Sequence, residues 1–176
     1  NIDSSLSIRY SDSSNDASAD QTQLERSSVE SAHGTCCAGI IAAVANNEIG
    51  VRGIAPKSRL VGINVFSAPT TANFVKALQH HNDIVDIYSN SWGDSPGAIS
   101  DAEVEAIKSS ATRGREGKGS IFVFAAGNEA SFGANANYFQ ELNSKYVFTI
   151  GALTAKADIA SYSNPGANVL VSSFGG

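Results

Sequence analysis

Short apolar segments that alternate with helix-like ones are the feature that most constrains the fold of this chain. Five have the length of strands: RLVGINVF (59–66), IVDIYSNS (84–91), SIFVFAA (120–126), KYVFTIGAL (145–153) and NVLVSS (168–173). Three are typical of helices: TCCAGIIAAVANN (35–47), TTANFVKALQHH (70–81) and SDAEVEAIKSSATRG (100–114). Continuous apolar strands that alternate with helices indicate βαβ units. We therefore expect an α/β fold, with a mostly parallel sheet covered by helices on both faces.

The chain is expected to form one domain over residues 1–176. Of its 176 residues, 42% are hydrophobic, which is enough for a single core. Residues 1–32 are rich in Ser, Asp, Gln and Asn and show little apolar periodicity, so we expect an irregular surface segment there. The α/β core is then expected over residues 33–176.

Charge and apolar pattern argue against two classes of partner. The net charge of −5 at pH 7 gives no electrostatic reason to bind nucleic acid or an anionic membrane. The sequence has no run of 18 apolar residues and no basic-then-apolar leader, so we expect neither a membrane span nor a targeting segment in it. Neither nucleic acid nor a membrane is therefore an expected partner.

A Gly-rich stretch raises the alternative of a nucleotide-binding protein. A phosphate-binding loop has the pattern G-x-x-x-x-G-K-[ST] between a strand and the helix that follows it. The stretch RGREGKGS (113–120) has a different spacing and joins a helix to a strand, and no G-x-G-x-x-G pattern occurs. The nucleotide-binding alternative therefore rests on the fold class alone, which does not decide function.

One histidine stands directly before a small, apolar segment, HGTCCAG (33–39). Reactive groups of open α/β sheets gather at the carboxyl ends of strands and at the helix N-termini beside them. His33 is expected to open a buried helix at such a place, with small residues in its first turn. It is either a catalytic group or a histidine that hydrogen bonds at a helix start.

Two strand ends carry polar groups of types that catalysis uses. In AAGNE (125–129), Asn128 follows an apolar strand, where its carboxamide can donate to a developing oxyanion. The same residue is also compatible with an ordinary turn asparagine. In SNSWG (89–93), the residues after another strand form either an edge that pairs with an extended peptide or a simple exit into a loop.

Two pairs of adjacent residues are candidates for disulfide or metal chemistry. Cys36 and Cys37 are neighbours in sequence, so a disulfide between them would be strained, and we expect both to be free thiols. His80 and His81 lie at a helix end with no further partner at ligand spacing. A solvated surface is favoured over a zinc site there.

The stretches HGTCCAG, SNSWG, FAAGNE and YSNPGANVLVSS, in that order, resemble the subtilisin-like serine peptidases. The longer stretches ANNEIGVRGIAPKSRLVGI, DIVDIYSNSWG and RGREGKGSIFVFAAGN are similar to the kexin and furin branch of that family. The likeness extends over residues 33–174. It implies a three-layer subtilisin-like fold and a serine endopeptidase, secreted or in the secretory pathway, that acts on peptide or protein substrates.

The resemblance also implies roles for individual residues. His33 is the general base, and Asn128 is the side-chain donor of the oxyanion hole. Two segments line the pocket for the residue before the cleaved bond: Ser91, Trp92 and Gly93, and Ala125, Ala126 and Gly127. Cys37 matches a cysteine that the kexin branch carries beneath the catalytic histidine.

Two members of the family's catalytic triad do not have clear counterparts in these residues. The family order is Asp, His, Ser, and the serine belongs to a G-T-S stretch beyond the position of SSFGG (172–176). Asp3 in IDSSL echoes the aspartate motif, but only Asn1 and Ile2 precede it, and IRYSDSSNDASAD looks like the loop between aspartate and histidine. We therefore expect an interior piece of a catalytic domain, incomplete at both ends, which is inactive without the rest of its own domain. The alternative is a catalytically dead module of the same fold that binds peptides.

Acidic residues that give the kexin branch its preference for paired basic residues are largely replaced. By the resemblance, Ala136 and Asn137 precede Tyr138, and Asn164 stands in YSNPG, where the branch has acids. Asp94 follows SWG at a different spacing and keeps some basic preference open. We expect no strict dibasic specificity and no calcium at these positions, because too few carboxylates remain to pair with a buried cation.

The resemblance further implies a structural calcium ion in the loop after the histidine helix. In VANNEIGV (44–51), the Asn47 side chain and the carbonyls of Val44 and Ile49 supply hard oxygen ligands. The loop looks shorter than in the kexin branch, and carboxylate ligands from upstream are missing. Calcium is therefore expected in a larger parent protein more than in these residues alone.

Overall fold

In the computed structural model, residues 1–19, 28–93 and 99–175 are described. They belong to two compact units, Asn1–Ala77 and Leu78–Gly176. The assignment of the whole chain to one domain stays a prediction. Within the described residues, no helix combines the length and the apolar character that crossing a membrane requires.

Two short parallel strands and two helices lie in the described part of the first unit. Its elements are β1 (Ile8–Arg9), α1 (Ser28–Ala42), β2 (Ile63–Asn64), a 3-10 turn (Val65–Ser67) and α2 (Thr71–Ala77). β1 pairs with β2 in parallel, with Ile8 opposite Ile63, and an isolated parallel bridge joins Ile2 to Leu60. The segments 2–9 and 60–64 therefore run side by side.

Residues 1–32 differ from the irregular surface segment that the sequence predicts. β1 lies within them, and α1 begins at Ser28 rather than at His33. Polar composition conceals both features, because strand pairing and the first turns of a helix need only backbone hydrogen bonds. The apolar pattern marks where a helix can pack, and not where its backbone hydrogen bonding begins.

The segment 59–66 also contains less strand than its apolar residues predict. Only Ile63–Asn64 is a strand. The Ser67 backbone N–H donates to the Asn64 side chain at 3.1 Å, which caps the 3-10 turn that follows. A local side-chain cap has therefore replaced further strand pairing at this point.

α1 is more exposed than the buried helix that its small apolar residues predict. Ala42 is the only one of its described side chains that is buried, and Ile40 is 62% exposed. A Cβ atom added to Gly34 or Gly39 would meet no atom within 4 Å. Small side chains permit close packing, but they do not specify which element packs against them. The sequence therefore predicts more burial for α1 than the structure has.

A four-stranded parallel sheet forms the centre of the second unit. Its elements are β3 (Ile87–Asn90), α3 (Asp101–Arg113), β4 (Ile121–Ala125), β5 (Val147–Leu153) and β6 (Val169–Phe174), with 3-10 turns at Arg115–Gly117, Ala130–Phe132 and Ala136–Tyr138. The strand order is β3-β4-β5-β6, and all three pairings are parallel. The prediction of a mostly parallel sheet with flanking helices is confirmed.

α3 shows how local sequence signals fix a helix. The Ser100 side chain accepts from the Glu103 backbone N–H, and the Glu103 carboxylate accepts from the Ser100 backbone N–H at 2.8 Å, which forms a capping box. At the other end the Gly114 N–H donates to the Ser110 carbonyl. The helix predicted over 100–114, with its end at Gly114, is confirmed.

Burial in the sheet of the second unit is concentrated on one face. On β4, Phe122 and Phe124 are 0% and 1% exposed, and Phe122 stacks on Tyr88 of β3 with ring centroids 4.6 Å apart. On the other face, Ile87 and Ile121 lie opposite each other and are about half exposed. The expected burial of both faces is therefore seen on one face only in the described residues, because burial also needs a covering element.

Phe122→Ala is expected to lower the free energy of unfolding by about 3–5 kcal/mol, because it removes a fully buried ring and leaves a cavity. Phe132→Ala is the matched control, since that ring is 89% exposed, and it should change stability by less than about 0.5 kcal/mol. Denaturant unfolding of the protein measures both values. Equal losses in the two variants would contradict the assignment of Phe122 to the core.

Candidate active site

His33 lies in the second turn of α1 and is exposed. It does not open the helix, as the sequence predicts, because the helix already begins at Ser28. Its Nε2 atom lies 3.9 Å from the Sγ atom of Cys37, one turn further along the helix. Cys36 and Cys37 are both free thiols, as predicted. The imidazole is thus solvent-accessible and has a thiol as its neighbour within the first unit.

Asn128 lies just beyond the carboxyl end of β4, which ends at Ala125, and it is exposed. Gly127 before it has a φ of +100°, a conformation that favours glycine. The Asn128 backbone N–H donates to Oε2 of Glu129 at 2.9 Å. Its carboxamide has no hydrogen-bond partner in the part of the chain that the structure describes, so this amide is available to an acceptor from outside.

The two predicted pocket segments leave the sheet at the same edge of the second unit. Residues 91–93 follow β3 and residues 125–127 lie at the end of β4, and these neighbouring strands pair with Asn90 opposite Phe124. The Trp92 ring packs edge-on against Phe124 with centroids 5.5 Å apart. Ala126 is buried, whereas Ser91, Gly93 and Ala125 are exposed. The structure therefore brings both segments together beside Asn128.

A set of contacts that no spacing rule predicts holds the backbone on both sides of Asn128. The backbone N–H of Asn164 donates to the Gly127 carbonyl at 3.1 Å. The Asn164 Oδ1 atom accepts from the Glu129 N–H, and Nδ2 donates to Glu129 Oε2, both at 2.9 Å. We call these three hydrogen bonds the Asn164 brace. Glu129 and Asn164 are 35 residues apart in sequence, so the motifs AAGNE and YSNPG give no sign of their contact.

His33 and Asn128 belong to different units, and each is described within its own. His33 is carried by a helix of the first unit, and Asn128 by a strand end of the second. The proposal that both serve one peptide bond stays a prediction.

Asp3 follows the bridge residue Ile2, and its carboxylate is engaged locally. Oδ1 accepts from the Ser5 backbone N–H at 3.1 Å and from the Ser5 hydroxyl at 2.6 Å, and Arg59 donates to Oδ2. The Ser5 hydroxyl, followed by Arg59, lowers the pKa of Asp3 from 3.8 to about 2. These contacts leave Oδ2 with a second lone pair, and the expectation that the triad aspartate lies outside these residues stays a prediction.

The predicted calcium ligands Val44, Asn47 and Ile49 lie in the exposed loop that follows α1. Asn47 Oδ1 accepts from the Ile49 N–H at 3.3 Å and keeps a second lone pair. Three neutral oxygens suit calcium chemically but fill at most half of its six to eight coordination positions. Across the described ranges, no cluster of three or more His, Cys, Asp or Glu side chains could hold a metal ion. A calcium ion at this loop would need further ligands from elsewhere, and the site stays a prediction.

The positions weighed for substrate specificity have structural contacts of their own. Asn137 Oδ1 accepts from the Ala167 N–H at 2.7 Å, and Asn137 Nδ2 donates to Asn143 Oδ1 at 3.0 Å. Asn164 forms the brace described above. Asp94 lies outside the described residues. The expected lack of strict dibasic specificity stays a prediction.

A parallel sheet with Asn128 and residues 91–93 and 125–127 at its carboxyl edge resembles the architecture of the subtilisin-like class. A serine protease of Aeromonas sobria has a TM-score of 0.71 and 28% identity, covering 83% of this chain and 29% of that chain. A protease from Pseudoalteromonas arctica has a TM-score of 0.69 and 26% identity, covering 79% and 42%. The chain belongs to the Subtilase family, which it matches over residues 2–174.

Curated relatives confirm the likeness to the kexin branch. Proprotein convertase subtilisin/kexin type 7 of Mus musculus is 41% identical over 150 residues, 82% of this chain and 20% of that protein. A dibasic-processing endoprotease of Yarrowia lipolytica is 41% identical over 154 residues, 82% of this chain and 15% of that protein. Kexin of Candida albicans is 39% identical over 148 residues, covering 81% and 16%. The chain thus spans a fifth or less of the length of these relatives.

Ser5→Ala is expected to raise the pKa of Asp3 above about 2, because it removes the hydrogen bond that lowers it most. A pKa lowered in the folded state stabilises the fold above the unfolded value of about 4, and this contribution disappears as the pH falls toward 2. An NMR titration of the carboxyl group measures the pKa. Ser4→Ala, at an exposed neighbouring serine, is the matched control. An identical titration in Ser5→Ala and the wild-type protein would contradict the assignment.

Proposed function

We propose that this chain carries the general base and the oxyanion donor of a kexin-like serine endopeptidase. The observation that supports this most directly is the Asn128 carboxamide. It is exposed and without a described hydrogen-bond partner, at the sheet edge where both pocket segments meet. A turn asparagine normally bonds back to nearby backbone, so an unengaged amide at this edge favours a role toward a bound substrate.

In the proposed reaction, a serine oxygen attacks the carbonyl of the peptide bond while His33 takes its proton, and His33 later returns that proton to the leaving amine. Asn128 donates a hydrogen bond to the oxyanion of the tetrahedral intermediate. The serine and the triad aspartate are proposed to lie in the same protein outside these residues, in the family order Asp, His, Ser. Residues 1–176 are then inactive by themselves.

The proposed substrate is a peptide or protein segment that lies extended along the edge formed by residues 91–93 and 125–127. Ser91, Gly93 and Ala125 are exposed there, which supports pairing with an extended chain. Neutral Asn137 and Asn164, both engaged within the protein, favour a specificity that is not strictly dibasic. A secreted or secretory-pathway location is proposed from the likeness to kexin-like relatives.

Fluorophosphonate labelling of the full-length protein tests the proposal, because the probe reacts with a serine that a histidine base activates. We expect labelling of the wild-type protein and its loss in His33→Asn. His81→Asn is the matched control and should label like the wild type, since asparagine tolerates the left-handed φ of +50° at that position.

Two results would overturn parts of the proposal. If the correctly folded wild-type protein is not labelled, a peptide-binding module of the same fold replaces the enzyme. If His33→Asn labels as strongly as the wild type, His33 is not the general base.

Calcium is proposed to bind the loop 44–49 of the full-length protein as a structural ion, with Val44, Asn47 and Ile49 among its oxygen ligands. A chelator is expected to lower the Tm, and calcium rather than magnesium to restore it, because magnesium demands a smaller octahedral site. Asn47→Ala should reduce this calcium-dependent shift, whereas Asn47→Asp, which keeps the oxygen, should retain it. An undiminished shift in Asn47→Ala would place the ion elsewhere.

A further inference from the structure

The Asn164 brace leaves the backbone around Asn128 little freedom to rotate. The Gly127 carbonyl and the Glu129 N–H stand on opposite sides of Asn128, and both bond to Asn164. The Asn128 N–H bonds to Glu129 Oε2, the same oxygen that Asn164 Nδ2 holds. The buried side chain of Asn164 and the backbone N–H of Asn164 thereby fix the peptide groups before and after Asn128.

Burial and close packing make the Asn164 brace rigid. Asn164 is 1% exposed, so its side chain is held inside the protein, whereas its partner Glu129 is exposed and the hydrogen bonds between the two are partly buried. A Cβ atom on Gly127 would lie 2.3 Å from Asn164 Nδ2 and 2.7 Å from Glu129 Oε2. The brace thus occupies the space that any larger residue at position 127 would need, and the loop can approach it only because that residue is glycine.

We propose that Asn164 is a positioning residue of the oxyanion hole, which aims the Asn128 carboxamide through Glu129 and Gly127, a role that rests on the proposed function of Asn128. Asn164 does not reach the reacting atoms, since both polar atoms of its amide bond to Glu129. Its effect is to hold the backbone from which the free Asn128 side chain extends.

Such positioning acts on turnover more than on substrate binding. A donor lowers the reaction barrier only when it is already aimed at the place where negative charge develops. In the ground state, the substrate carbonyl accepts this hydrogen bond only weakly. A poorly oriented Asn128 side chain therefore reduces kcat and leaves KM nearly unchanged. A displacement of about 1 Å is enough to slow an enzyme by roughly 100-fold.

A double-mutant cycle in the full-length protein tests the role of Asn164. Asn128→Ala alone is expected to lower kcat by about 10²–10³-fold, the effect known for the equivalent donor in subtilisin. Asn164→Ala alone should lower kcat by about 10- to 100-fold with KM nearly unchanged. In the Asn128→Ala background, Asn164→Ala should lower kcat by less than about a further 2-fold, because the donor that Asn164 positions is already absent.

Two further variants separate positioning from general loss of structure. Asn164→Asp keeps the size of the side chain and the acceptor for the Glu129 N–H, but it sets a carboxylate against Glu129 Oε2, so kcat should fall as in Asn164→Ala. Asn168→Ala is the matched control, because Asn168 Nδ2 also donates to two backbone carbonyls, of Ala136 and Leu142, away from the brace. It should leave kcat of the folded protein unchanged.

The outcomes distinguish this role from the proposed function itself. A protein in which Asn128→Ala does not alter kcat contradicts Asn128 as the oxyanion donor, whatever Asn164 does. If Asn128→Ala slows turnover but Asn164→Ala lowers kcat by the same factor in the wild-type protein and in Asn128→Ala, Asn164 acts independently of Asn128. The proposed positioning role is then wrong. A rise in KM with kcat unchanged in Asn164→Ala would likewise overturn it, since that pattern indicates a binding residue.

Discussion

The parallel pairing of β3 with β4 is the constraint on which the rest of the second unit depends. Parallel neighbours end at the same edge of a sheet, so the register that sets Asn90 opposite Phe124 also brings together the residues that follow each strand. The buried rings of Phe122 and Tyr88 lock that register by stacking on one face. The packing of the core therefore also sets the geometry of the site, because a shift in strand register would separate the two predicted pocket segments.

Backbone conformation at the edge has to satisfy two demands at once. The chain must turn sharply after β4, which Gly127 permits with its φ of +100°, and the role proposed for Asn128 requires that the backbone after this turn be fixed. Glycine supplies the turn but lowers rigidity, since it restricts the backbone least of all residues. The Asn164 brace restores that rigidity by bonding to the Gly127 carbonyl and the Glu129 N–H.

Sequence patterns predict features that depend on neighbours along the chain. The ends of α3 follow from Ser100, Glu103 and Gly114, and the apolar runs locate β3 to β6, because capping and strand burial are local or periodic. β1 (Ile8–Arg9) is hidden by the polar residues around it, since its pairing with β2 uses backbone alone. The exposure of α1 and the contact between Glu129 and Asn164 depend on which distant segments meet, and no local pattern encodes that.

The amide of Asn164 suits its position for a chemical reason. The brace needs one acceptor, for the Glu129 N–H, and one donor, for the Glu129 carboxylate, on the same short side chain. An ionised carboxylate offers no donor and a lysine offers no acceptor, whereas a carboxamide offers both. Because the amide is neutral, it can be buried to 1% exposure without the cost of desolvating a charge. Where the kexin branch is expected to have an acid, this chain therefore has a side chain that needs no counter-ion, and the order around Asn128 comes from hydrogen bonds within the protein.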